Sequence, residues 1–186
     1  MSTEFITASE YLEAEAKARR NSADKPAVRR IEQELKRLPR TQERLTFELL
    51  KIARAALDQG KNPGAAALPA MIMGRSLTHD NRPKYLEAIE DIAVRCFESM
   101  AQCVDSRFTL TFVVSLFALR TSDKQRLDIL LDKLKRALDQ QADSRREFLD
   151  LAEESEAQIR DRLRQLRREI ELQLAEDCKA LSSHLN

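Results

Sequence analysis

SDKQRLDILLDKLKRALDQQADSRREFLDLAEESEAQIRDRLRQLRREIELQLAEDCKALSSHLN, residues 122–186, contains neither glycine nor proline. The absence reaches back to Lys84, because Pro83 is the last proline and the glycines are Gly60, Gly64 and Gly74. These two residue types punctuate a chain most sharply, so helices can grow long without them. Ser122-Asp-Lys-Gln125 has the S-x-x-Q form of a capping box, in which cap and third helical residue satisfy each other's backbone N–H groups. No stop signal follows until Ser182. The pattern predicts one helix of about 60 residues, about 90 Å long at 1.5 Å per residue.

Apolar residues recur along this stretch at helical spacing. Leu127, Leu131, Leu134 and Leu138 form a first seam, and residues 141–146 interrupt it with polar side chains. Phe148, Leu151 and Ala152 restore it, followed by Ile159, Leu163, Leu166, Ile170, Leu174, Cys178, Leu181 and Leu185. The mean step from Ile159 onward is about 3.7 residues, nearer an 11-residue repeat than a heptad, which favours straight or slightly right-handed packing. A narrow stripe gains its stability by packing on something. Three arrangements satisfy it: an antiparallel hairpin or other packing within the chain, pairing with a second copy, or capture of a different protein. The lack of glycine and proline in 141–146 favours continuing the helix over turning it.

Outward from this arm, the remaining elements also read as helix. Phe108-Thr-Leu-Thr-Phe-Val-Val-Ser-Leu-Phe-Ala-Leu119 alternates like a strand, but the chain offers no second strand to pair with it. A helix apolar nearly all round satisfies its own backbone and is predicted here. Tyr85, Ile89, Ile92, Cys96, Met100 and Cys103 predict a helix over 82–104, capped by Asn81 with Pro83 in its first turn. The uncharged segment Asn62 to Gly74 predicts a short helix that Pro69 kinks or ends, either buried or exposed for a partner through Met71 and Met73. A helix over 41–59 is expected from its apolar stripe, with Thr41 as cap and Gly60 closing it. Asp24 as cap with Pro26, and Val28, Ile31, Leu35 and Leu38, predict a helix that Pro39 stops. Residues 8–20 form a thin-striped helix expected on the surface. The expected fold is therefore all-α: a peripheral helix in 1–23, a helical bundle in 24–120, and a long C-terminal amphipathic, coiled-coil-like helix in 121–186.

Charge and cysteine usage narrow the functional classes. Net charge is +1, so no overall field draws the chain to nucleic acid or membrane. Residues 17–54 are nonetheless basic, with twelve Lys or Arg against five Asp or Glu. Arg19, Arg20, Arg29, Arg30, Arg37 and Arg40 are the candidate nucleic-acid contacts, although no aromatic residues interleave with them. A second cluster, Arg160, Arg162, Arg164, Arg167 and Arg168, has carboxylates at ordinary helical pairing distance. Three cysteines without a C-x-x-C motif fit free thiols in a reducing compartment. The opening Met1-Ser-Thr-Glu-Phe lacks a basic region followed by an apolar one, so no signal peptide is expected. The longest uncharged apolar run, 108–119, is short of the roughly 20 residues a bilayer span needs. A cytoplasmic location is expected.

No catalytic constellation can be assembled. His79 and His184 are the two histidines, too few for a histidine metal cluster. There is no glycine-rich phosphate loop and no nucleophile beside a base. No catalytic residue, cofactor or metal is therefore assigned. The expected function is non-enzymatic: an adaptor, scaffold or assembly component that binds protein partners, a second copy included. Its candidate contacts are Ile159, Leu163, Leu166, Ile170 and Leu174 on the arm, with Met71 and Met73. Nucleic-acid binding through 17–54 is the alternative. Membrane action, through release of the 108–119 helix, is the third and least favoured reading.

Overall fold

The computed structural model describes the backbone of residues 6–77, 79–102, 106–139 and 145–184, and side chains over the same ranges except 22, 101, 102, 106 and 173–184. The regular structure of the described residues is all helix, with nine α-helices and no strand. They are α1 (Ala8–Arg20), α2 (Lys25–Leu35), α3 (Pro39–Asp58), α4 (Gly64–Met73), α5 (Arg82–Gln102), α6 (Ser106–Ser122), α7 (Lys124–Leu138), α8 (Arg146–Leu151) and α9 (Glu156–His184). The chain forms two compact units, residues 1–89 and 90–186.

In the first unit, α1 opens with a capping box that the sequence also carries. Thr7 Oγ1 accepts from Glu10 N–H at 3.3 Å, and Glu10 Oε2 accepts from Thr7 N–H at 2.9 Å. The helix lies at the surface but is anchored. Tyr11 is buried, and its hydroxyl donates to Glu32 of α2 at 3.1 Å. Ala8 N–H donates to Glu48 of α3 at 3.2 Å, and Arg44 donates to the Ile6 carbonyl at 3.0 Å.

Two helix starts in this unit differ from expectation. Asp24 makes no side-chain cap; Asn21 instead accepts from Ala23 N–H at 3.1 Å within the short 3-10 turn Ser22–Asp24, while Pro26 sits in the first turn of α2 as predicted. Pro39 does not stop α2, which ends at Leu35; it is the first residue of α3, so Thr41 lies inside that helix. A proline's fixed φ and missing N–H suit a first turn as well as they obstruct an interior. Gly60 closes α3 as expected, at φ 65°, with Gly60 N–H donating to the Leu57 carbonyl and Lys61 N–H to the Ala56 carbonyl. That pair of bonds is a Schellman motif, and it needs the left-handed conformation glycine tolerates.

α4 is packed against α3, and Pro69 does not end it. Ala66, Ala67, Pro69, Ala70, Met71 and Met73 are all buried. The carbonyls at its end are taken up from other elements. Tyr85 Oη donates to the Met71 carbonyl at 3.0 Å, and Gln42 Nε2 donates to the Met73 carbonyl at 2.9 Å. Asn81 ties the start of α5 to α3 by donating its amide to Glu43, while its backbone carbonyl accepts from Tyr85 N–H.

The second unit is built around α6, a helix as the sequence predicts. Phe108, Leu110, Phe112, Val113, Leu116, Phe117, Ala118 and Leu119 are buried, which is nearly every direction around its axis. Buried hydroxyls cost free energy unless bonded. Here Thr111 donates to the Arg107 carbonyl at 3.0 Å and Ser115 to the Thr111 carbonyl at 2.7 Å, one turn back in each case. α7 presents Leu127, Leu130, Leu131, Leu134 and Leu138 to this core. Its cap is Asp123, which accepts from Arg126 N–H at 3.0 Å; Ser122 ends α6 instead of opening the next helix.

The uninterrupted 60-residue helix is corrected. The chain leaves helix at Ala152–Ser155, between α8 and α9, without glycine or proline. Side chains supply what a breaker residue would. Arg120, near the end of α6, donates to the Ala152 carbonyl at 3.0 Å and to the Glu154 carbonyl, so two carbonyls at the turn have partners. Ser155 and Gln158 then form a capping box: Gln158 Oε1 accepts from Ser155 N–H at 2.9 Å, and Ser155 Oγ accepts from Gln158 N–H at 3.4 Å. The polar stretch expected to carry the helix between the seams, 141–146, lies mostly outside the described residues, and Arg146 begins α8.

Candidate interaction surfaces

α9 is the longest described helix, at 29 residues, and its first half packs against α6. The candidate contacts on it divide by position. Ile159 and Leu166 are 2% exposed, while Leu163 and Ile170 are half-buried. The side chain of Leu174 lies outside the described residues. The spacing of four, three and four residues puts the first four on one face, so the face predicted to dock is, over this half, the face that closes the unit's own core. Leu172 points away from it, about 200° around the helix from Ile170, and is 65% exposed.

The stretch 62–74 follows the buried reading. Met71 is 1% exposed and Met73 is buried, so neither offers an accessible surface in this fold. The outward residue is Ile72, at 60% exposed. Gly74 explains the close seat of this segment: a Cβ there would overlap the Tyr85 ring. Burial pushes the Tyr85 hydroxyl well above its ordinary range, so it is a fixed donor to α4.

An open groove of about 680 Å³ runs between α8 and the start of α9. Glu147, Asp150, Glu154 and Asp161 line it together with Arg146 and Arg162. Arg162 lies 5.4 Å from the Phe148 ring centroid and donates to Gln165 at 3.2 Å. Among the described residues, no group of His, Cys, Asp or Glu is placed to hold a metal ion.

In the Arg160–Arg168 cluster, Arg160, Arg162 and Arg164 are paired, Arg162 with Glu147 at 3.6 Å. Arg160 bonds Glu156 and Arg164 bonds Asp161 at 2.8 Å. The basic residues of the first unit are different. Arg19 pairs with Glu15 at 2.7 Å and Arg30 with Glu34 at 3.3 Å. Arg20, Arg29, Arg37 and Arg40 are exposed and have no ion-pair partner among the described residues.

Buried titratable groups are inert here. Burial pushes the Cys96 thiol up to about 12, against a slight opposing effect from Arg95, so it stays protonated at neutral pH. Arg145 is buried against Phe97, its guanidinium 4.3 Å from the ring centroid and donating to the Phe97 carbonyl at 2.8 Å. It joins α5 to the start of α8. His79 is exposed in the turn before α5. Among the described residues no helix is long and apolar enough to cross a membrane. The chain matches no protein-family model, no curated protein and no solved structure.

Proposed function

We propose that this chain is a non-enzymatic protein–protein interaction module whose docking element is the C-terminal part of α9. The observation that carries this reading is a mismatch of lengths. α6, the helix on which α9 packs, has 17 residues and α9 has 29, about 26 Å against about 44 Å at 1.5 Å per residue. About 18 Å of α9 therefore exceeds what α6 alone can cover. The sequence of that part keeps the apolar stripe, through Leu174, Cys178 and Leu181. A stripe of this kind needs a facing surface to hold its helix.

The proposed facing surface is the same stripe of a second copy, in coiled-coil-like contact. Self-pairing suits a stripe whose flanks carry both signs of charge, as Arg167, Arg168, Glu169 and Glu171 do. The reading places the protein in the cytoplasm, a reducing setting in which its cysteines stay free thiols. To test it, chains carrying a donor or an acceptor dye are mixed and energy transfer is recorded. Transfer is expected for the natural sequence and lost in Leu174→Glu/Leu181→Glu. A natural sequence that gives no transfer at micromolar concentration, or a double variant that transfers equally well, overturns the proposal.

A further inference from the structure

The first unit carries a charged surface that docking through α9 does not use. On α2 and its C-cap, Lys25, Arg29 and Lys36 recur at intervals of four and seven residues, which places them within about 40° of one another around the helix axis. All three are exposed, on a side apart from the buried Val28 and Leu35. Arg20 stands at the end of α1, and Arg37 and Arg40 stand at the corner between α2 and α3. None of these six cations has an ion-pair partner among the described residues. Glu13 pairs with Lys17, Glu15 with Arg19 and Glu34 with Arg30, while Glu32, which accepts from the Tyr11 hydroxyl, lies on the same side of α2 as the three cations.

Cations outnumber carboxylates along this stretch, and a regular polyanion binds such a stretch by releasing its own counterions. Lys25 to Lys36 spans about 17 Å along the axis, the rise of about five phosphates on one strand of a duplex. What is missing from the surface selects among polyanions. The exposed large apolar residues described in the first unit are Ile52 and Ile72, neither on α1 or α2. Tyr11, the aromatic residue of α1 and α2, is buried. A single strand is held by stacking its bases on aromatic rings, and a bilayer by burying an apolar face beside the cations. Neither device is present on this face. We infer that the α2 face, with Arg20, Arg37 and Arg40 at its ends, binds the phosphate backbone of double-stranded nucleic acid without reading its sequence.

The full chain is titrated against a dye-labelled 20-base-pair DNA of arbitrary sequence, followed by fluorescence anisotropy. Binding should weaken about 100-fold between 50 and 200 mM salt, as expected for some four phosphate contacts. A second duplex of unrelated sequence should bind within about twofold. Lys25→Glu/Arg29→Glu/Lys36→Glu should abolish binding while leaving the melting temperature unchanged, since all three side chains are exposed. Arg160→Glu/Arg164→Glu on α9 should bind like the natural sequence. The inference is overturned if duplex binding is absent at 50 mM salt, if the triple variant binds equally well, if a 20-nucleotide single strand binds more tightly, or if only phosphatidylserine vesicles bind.

Discussion

Gly74 and Tyr85 show how much one side chain position can decide. The Tyr85 ring occupies the space a Cβ at Gly74 would need, and its hydroxyl donates to the Met71 carbonyl of α4. Gly74→Ala should therefore destabilise the first unit by about 3 kcal/mol, from overpacking against a ring that cannot move away. Tyr85→Phe keeps the packing and removes only the bond, so a loss of about 1 kcal/mol is expected. Urea denaturation of the two variants checks both values. Equal effects would contradict the division into packing and hydrogen bond. The sequence shows Gly74 as a helix end but cannot show that Tyr85 lies on it, because that pairing depends on the fold.

Cys96 makes a second prediction at this scale. Its thiol titrates near 9.0 when free and is pushed up to about 12 in the fold, so the folded state holds a proton the unfolded state has released. Its contribution to stability is fully present below pH 9 and is lost as pH rises from there towards 12. Tyr11 and Tyr85, both raised by burial, act in the same direction above pH 10. The melting temperature should fall progressively above pH 9. In a Cys103→Ser/Cys178→Ser background, iodoacetamide at pH 8 should leave Cys96 unmodified until denaturant is added. Rapid modification of the native protein would contradict its burial.

At the scale of elements, helix type was legible almost everywhere and helix ends were not. Periodicity announces α5 and the stripe of α7 because buried faces repeat every three or four residues. α6 could be read despite its strand-like alternation, since no partner strand exists. The break between α8 and α9 escaped because the argument weighed only glycine and proline. The signal was present in Ser155-Glu-Ala-Gln158, the same S-x-x-Q form as Ser122-Asp-Lys-Gln125, and the two matches had opposite outcomes. At 155 the chain has already left helix, with Arg120 holding the turn; at 122 the adjacent Asp123 takes the cap. A capping motif thus states where a helix can start, and tertiary partners decide whether it does. Ser155→Ala should cost about 1 kcal/mol. Arg120→Ala should cost about as much or more by leaving the Ala152 and Glu154 carbonyls without that donor. Both are measured by thermal denaturation, and a neutral Arg120→Ala would contradict its role at the turn.

The same stripe on α9 has two halves with different consequences. Leu166→Ala removes a buried side chain and should destabilise by about 2–4 kcal/mol, whereas Leu172→Ala should be within about 0.5 kcal/mol of neutral. The candidate surfaces read from sequence were legible only in part for one reason: periodicity identifies an apolar face but does not say what covers it. Ile159 and Leu166 are covered by their own unit, and Met71 and Met73 by theirs. Exposed cations were easier to place, because charge at a helical position off the apolar stripe has only solvent to face.

At the scale of the whole chain, the periodicity of α5 runs unbroken through Ile89 and Glu90, so nothing in the sequence marks the division into two units there. The central claim is that α9 beyond residue 172 is a docking element for a second copy, not part of the unit's own core. Molar mass by light scattering, over a dilution series of the full chain and of residues 1–172, tests it most directly. The account predicts a dimer or higher oligomer for the full chain, and a monomer of unchanged melting temperature for 1–172. A full chain that is monomeric throughout, or a shortened chain that keeps the same assembly, would contradict it.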